Sequence, residues 1–145
     1  MANARFDGPE LSAALHRLSY LLQRLNDNEL LPELGVSYAQ YRVMAGLRQR
    51  PVSEQRHLAA HLHQTEAGIS RSLKQLGSQG LIRTERDRRD NRRRRVSLTP
   101  EGAAVLSRAD EITAELSNQL FRSFSPSEAG ALGRLLAKLL QSLMP

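Results

Sequence analysis

Leu11, Leu15, Leu18, Leu22 and Leu25 recur every three or four residues, the spacing of one helical face, and predict a first helix from Glu10 to Leu25. The polar run from Asn26, with Pro32 and Gly35 beyond it, predicts that helix's end. Ser37 and Gln40 have the spacing of a capping box, opening a second helix through Val43, Met44 and Leu47 that stops before Pro51. Ser53 is the candidate cap of a short third helix carrying Leu58, Ala59 and Leu62. Thr65 is the candidate cap of a fourth, whose Ile69, Leu73 and Leu76 share one face and which ends near Gly80.

The period then changes. Leu81 and Ile82 start a short strand, and Val96 and Leu98 alternate with Arg95, Ser97 and Thr99 as a half-buried strand does. Paired antiparallel, the two make a hairpin whose tip runs from about Arg86 to Arg93. Thr99, Pro100 and Glu101 read as N-cap, first helical position and first-turn acid. The helix they open carries Val105, Ala109, Ile112, Leu116 and Leu120 and runs to about Phe121. Ser125 to Glu128 repeats the start signal as a full capping box, before a last helix with Leu132, Leu135, Leu136, Leu139, Leu140 and Leu143.

These elements predict a mainly α fold with one small β-hairpin. Two helices joined by a tight turn near His63 and Gln64 form a helix-turn-helix at about 54–79. The hairpin at about 81–99 follows it directly, the place of a wing, so a winged helix-turn-helix lobe is expected over 36–99. The apolar seams of the flanking helices, 9–34 and 100–145, exceed what so small a lobe covers, and predict a dimerisation lobe. A monomer whose outer helices fold back on the winged lobe is the alternative.

Composition narrows the function. The chain has 145 residues, 40% hydrophobic, which suits one compact domain or two small lobes. It has no cysteine, excluding a disulfide scaffold, a thiolate metal site and thiol redox sensing. Neither a signal peptide nor an apolar run of about 20 residues is present, so a cytoplasmic protein is expected. The net charge is +6, and eight arginines against three acids between Arg83 and Arg95 place +5 of it in that window. Charge so concentrated points to a polyanion contact, and guanidinium groups suit bidentate phosphate recognition. A solvated basic loop is the plainer reading of the same charge. On the fourth helix, the side turned from Ile69, Leu73 and Leu76, with its margins, carries Glu66, Gly68, Ser70, Arg71, Lys74 and Gln75. Short side chains let a helix backbone approach a duplex while Arg reaches base edges. An ordinary packed helical hairpin would have a polar face too, but hairpin and helix lie side by side and support each other.

Other chemistry finds little support. No nucleophile elbow and no Gly-rich phosphate loop occur, so no enzyme activity and no cofactor are expected. His57 and His61 are spaced for one helical face with His63 nearby, yet no carboxylate completes a zinc motif, and no metal is expected. An RNA-binding module would want aromatics for base stacking, and none falls between residues 83 and 95. A winged-helix protein-interaction adaptor, or a non-specific nucleic-acid binder, is the runner-up.

The run Gln40 to Leu47, Leu58-Ala59, Ile69 to Leu76, Gly80 to Arg83, and Asp90-Asn91-Arg92 with Val96 to Gly102 resembles the MarR family of bacterial transcription regulators. The likeness covers almost the whole chain in order and spacing, and Asp-x-Arg followed by Leu-Thr-x-x-Gly is its most specific part. It implies a two-fold homodimer with intertwined terminal helices and the fourth helix in the major groove of each half-site. It further implies that Arg92 enters the minor groove and that Asp90 orients the wing. Base choice is then expected from Gln64, Thr65, Gly68, Ser70, Arg71 and Lys74, and phosphate contact from Arg86, Arg88, Arg89, Arg93 and Arg94, with Arg95 beside them. The partner would be a pseudo-palindromic double-stranded operator. Family effectors suggest a repressor released by a phenolic or other anionic molecule, in a pocket near His16, Tyr20, Arg24, Tyr38 and Tyr41. Repression and activation are alike compatible with these residues. Four consecutive arginines, 92 to 95, depart from the family pattern and predict strong non-specific DNA affinity.

Overall fold

The computed structural model describes residues 7–49, 55–86, 88–90 and 94–144. Its described residues form six helices and one hairpin: α1 (Gly8–Leu34), α2 (Tyr38–Gln49), α3 (Gln55–His61), α4 (Glu66–Ser78), β1 (Ile82–Arg86), β2 (Arg94–Leu98), α5 (Pro100–Phe121) and α6 (Pro126–Leu143). The candidate cap Ser53 lies outside the described residues. The chain divides into two compact units, Met1–Ile112 and Thr113–Pro145.

α1 departs from expectation, since Asn26, Asp27 and Asn28 do not end it. The helix continues to Leu34, with Pro32 inside its last turn, and stops at Gly35, whose φ of 68° is the left-handed conformation a glycine adopts without strain. The polar residues are absorbed by specific bonds. Asn26 Nδ2 donates to the Leu22 carbonyl at 2.8 Å, and Asp27 Oδ1 accepts from the Tyr38 backbone N–H at 2.7 Å, tying α1 to the start of α2. The extra turns bring Leu30 into full burial. Asp7 and Glu10 cap the other end reciprocally.

The winged lobe is built as its pattern predicts. Val43, Met44 and Leu47 of α2 pack with Leu58 and Ala59 of α3, Ile69, Leu73 and Leu76 of α4, and Ile82 and Val96 of the hairpin. Ser37 and Gln40 form the expected reciprocal cap, at 3.2 Å and 2.8 Å. Thr65 caps α4 by accepting from the Gly68 N–H at 3.1 Å. The strands pair antiparallel from Ile82 opposite Leu98 to Arg86 opposite Arg94.

Thr99 and Gly102 join the wing to α5. The Thr99 N–H donates to the Leu81 carbonyl at 3.1 Å, its hydroxyl donates to the Gly80 carbonyl at 2.7 Å, and the Gly102 N–H donates to that hydroxyl oxygen at 3.0 Å. Gly102 lies directly on the backbone of Leu81: a Cβ there would stand 1.9 Å from the Leu81 oxygen. The Leu-Thr-x-x-Gly signature is therefore a joint, with each of its polar and small residues placed by contact. The predicted α5 seam is confirmed at Ala109 and Ile112, while Leu106, absent from that reading, is the side chain that enters the core.

In Thr113–Pro145, Ser125 and Glu128 cap α6 reciprocally, and Phe121 packs edge-to-face on Phe124 at 5.4 Å between ring centres. Leu135, Leu136, Leu139, Leu140 and Leu143 of α6 are exposed, as are Leu11, Leu15, Leu18 and Leu25 of α1. No helix among the described residues is long and apolar enough to cross a membrane.

Candidate nucleic-acid interface

The two helices of the helix-turn-helix meet through a turn held by backbone bonds. The Leu62 N–H donates to the Leu58 carbonyl at 3.0 Å, His63 to Ala60 at 3.3 Å and Gln64 to Ala59 at 3.0 Å. His63 has a positive φ of 51°, unusual for a side chain with a Cβ, because the chain must reverse there between two helices. Arg42 of α2 donates to the Leu62 carbonyl at 3.0 Å, and Gln55 of α3 to the Glu66 carbonyl at 3.2 Å. These bonds fix the direction in which α4 leaves the turn.

Burial of Ile69, Leu73 and Leu76 leaves Thr65, Ser70, Arg71 and Lys74 exposed on the other side of α4, with Gln64 and Gly68 half-buried at its start. All six candidate base-reading residues thus lie along the N-terminal two and a half turns of one helix or in the two residues that precede it. Glu66 is the acidic residue of the first turn, and its own carbonyl is engaged by Gln55.

Within the hairpin, Arg86 ends β1 and Arg94 begins β2, directly opposite one another, while Glu85 faces Arg95 on the other side of the ribbon. Like charges placed opposite destabilise a strand pair, so this end of the wing is suited to an anion that neutralises both. Arg88, Arg89 and Asp90 are exposed in the tip. Arg92 and Arg93, expected in the minor groove and at phosphate, lie outside the described residues.

The five residues of the expected effector pocket fall into local groups. Tyr20 and Arg24 stack on each other along α1, the guanidinium carbon 5.8 Å from the ring centre. Tyr38 and Tyr41 stack along α2 at 5.7 Å, and His16 is exposed on α1. The Tyr41 hydroxyl donates to Asp110 of α5 at 3.0 Å, and Arg48 pairs with the other oxygen of the same carboxylate. That bond raises the Arg48 pKa above its usual value, with Asp110's charge adding to it against some desolvation. A second tie joins Arg108 of α5 to Glu33 of α1 at 2.6 Å and to Glu111 at 2.8 Å, and these bonds push the Arg108 pKa well up. Neither tie was legible in the chain, since Arg48 and Asp110 are 62 positions apart and Glu33 and Arg108 are 75 apart.

Of His57, His61 and His63, His61 shares a hydrogen bond with Gln49 at 3.2 Å, and no group of three metal-ligating side chains occurs among the described residues.

Comparison with known proteins adds four findings. A family model described as MarR family matches residues 34–93. Transcriptional regulator HosA of Escherichia coli is 31% identical over 131 residues, covering 89% of this chain and 96% of the relative. Among solved structures, a mutant MarR from E. coli complexed with operator DNA superposes with a TM-score of 0.82 at 26% identity, over 90% of this chain and 93% of that one. The PcaV transcriptional regulator from Streptomyces coelicolor, solved with its natural ligand, shares the fold with a TM-score of 0.78 at 22% identity, over 99% of each chain.

Proposed function

The chain belongs to the MarR family, and from that premise we propose that it is a homodimeric, sequence-specific DNA-binding regulator of transcription, acting in the cytoplasm as a repressor that a small molecule releases. The observation that carries this reading is the exposed face of α4, with Thr65, Ser70, Arg71 and Lys74, beside a hairpin whose cations are all arginine. In this reading α4 enters the major groove, where Arg71 and Lys74 reach base edges and Gly68 and Ser70 keep the backbone close. Arg86, Arg88, Arg89, Arg93 and Arg94 take phosphates, and Arg92 takes a narrow, A·T-rich minor groove.

Dimerisation is supported by the leucine rows that a single chain leaves exposed on α1 and α6. Two copies related by a two-fold axis would present two α4 helices to half-sites about one helical turn apart, roughly 10 base pairs. Titration of the DNA upstream of the protein's own gene, at several salt concentrations, tests the proposal. An inverted repeat of about 16–20 base pairs bound far more tightly than scrambled DNA, with a steep salt slope, is the expected result. Equal affinity for repeat and scrambled DNA overturns it.

A further inference from the structure

The far end of α4 from the cap meets two other helices around an open cleft of ≈ 390 Å³. Gly35 from the end of α1, Ser37 and Gln40 from the start of α2, and Gln75, Ser78 and Gln79 from the end of α4 and its cap line it. None of these carries a charge. Two amide struts cross the cleft: Gln40 Nε2 donates to Gln75 Oε1 at 3.0 Å, and Gln79 Nε2 donates to the Gly35 carbonyl at 2.7 Å. Gln40 is only 7% exposed and its own oxygen accepts from the Ser37 N–H at 2.8 Å, so its orientation is fixed. Gln75 and Gln79 are exposed, and the atoms of their amides that the struts do not use, Gln75 Nε2 and Gln79 Oε1, make no hydrogen bond among the described residues and remain to offer two N–H donors and an acceptor oxygen.

We propose that this cleft binds a small uncharged molecule presenting hydrogen-bond donors and acceptors side by side, a carboxamide or a polyol, and that its occupation shifts α4 against α1 and α2. Such a molecule exchanges bond for bond with the glutamine struts, whereas an anion finds no cation in the lining. The volume lies at the lower end of the roughly 300–1,000 Å³ range of small-molecule sites. The cleft is separate from the region of Tyr20, Arg24, Tyr38 and Tyr41 where an anionic effector was expected, and none of those residues lines it. Gln75 follows Lys74 on α4, so rearranging its strut acts on the helix proposed to read DNA. The binding site stands on geometry alone; its regulatory consequence rests on the DNA-binding reading.

The test is ¹H–¹⁵N NMR of the full chain titrated with nicotinamide and ribose, with nicotinate as the anionic counterpart of the first. Saturable shifts of the Gln40, Gln75 and Gln79 side-chain amides with nicotinamide or ribose, and none with nicotinate, are expected. Ser78→Tyr places a bulky side chain on an exposed lining position without removing either strut, and should abolish saturation while melting as the parent does. Gln79→Ala should weaken binding roughly three- to tenfold, the effect of one hydrogen bond. Failure of both neutral probes to saturate, an equal response to nicotinate, or indifference to Ser78→Tyr overturns the site. Saturating probe should change affinity for the upstream DNA by about fivefold or more. Binding without that change overturns the shift of α4, whereas a free protein that ignores the DNA refutes the DNA-binding reading and leaves the site intact.

Discussion

Replacing Gly102 by alanine tests the joint between wing and α5. The added Cβ would meet the Leu81 oxygen at 1.9 Å and its carbonyl carbon at 2.9 Å. Ordinary contact lies at roughly 3.5 Å, so one of the two backbones must move by more than an ångström, and both are backbone atoms with no rotamer to yield. Overpacking of this kind costs about 1–3 kcal/mol. Separating the segments also strains the Thr99 bonds to Leu81 and Gly80, each contributing about 0.5–1.5 kcal/mol. A loss of roughly 3–5 kcal/mol follows, a large share of the about 5–15 kcal/mol of a typical domain. Thermal unfolding followed by circular dichroism at one fixed protein concentration should show Tm lower by on the order of 10–20 °C. Gly77→Ala is the control: its Cβ would meet nothing within 4 Å, and in the helix α4 it should stabilise by about 0.4–1 kcal/mol. A Gly102→Ala protein that melts with the parent, or a Gly77→Ala protein that falls as far as Gly102→Ala, refutes the reasoning.

Two other substitutions and one titration probe separate parts of the fold. Tyr41→Phe removes the hydroxyl that donates to Asp110 and should cost about 0.5–1 kcal/mol in urea unfolding, toward the low end because water reaches the carboxylate; no loss contradicts the tie. His63→Gly relieves the positive φ at the helix-turn-helix turn and should raise stability by about 0.5–1 kcal/mol, and a decrease contradicts it. The Ser125 backbone N–H, and then its hydroxyl, hold the Glu128 pKa below the usual carboxylate range. The depressed folded-state value means that this cap's contribution is complete above the ordinary carboxylate pKa and is lost as pH falls through the folded-state value. An NMR titration of the Glu128 carboxyl should therefore show a midpoint below that of an unstructured glutamate, and a midpoint at or above it contradicts the cap.

Signals that act over three or four residues were legible in the chain. The boxes at Ser37 and Ser125, the Thr65 cap, the Pro100 start and the hairpin all depend on neighbours in sequence, and the structure contains each of them. α1 was read too short because Asn and Asp at 26–28 carry a local preference for turns, which bonds to Leu22 and to Tyr38 override. The Leu-Thr-x-x-Gly motif was recognised, but its reason was not, since the Leu81 carbonyl that excludes a Cβ at Gly102 comes from the other end of the hairpin. The exposed face of α4, proposed to read bases, could be assigned from the apolar stripe it opposes. The glutamine cleft could not, because its walls come from three helices and glutamine on a helix surface has no pattern of its own.

The central claim is that α4 reads sequence while the wing supplies charge, and the salt dependence of DNA affinity separates these roles most directly. Binding to the upstream repeat and to scrambled DNA is measured for the parent, Arg71→Ala and the double variant Arg88→Ala/Arg89→Ala. Loss of two phosphate contacts should reduce the slope of log affinity against log salt by about 2, on both DNAs alike. Arg71→Ala should cost about 1–3 kcal/mol on the repeat and little on scrambled DNA. Variants that all weaken both DNAs equally, with the slope unchanged, contradict the account.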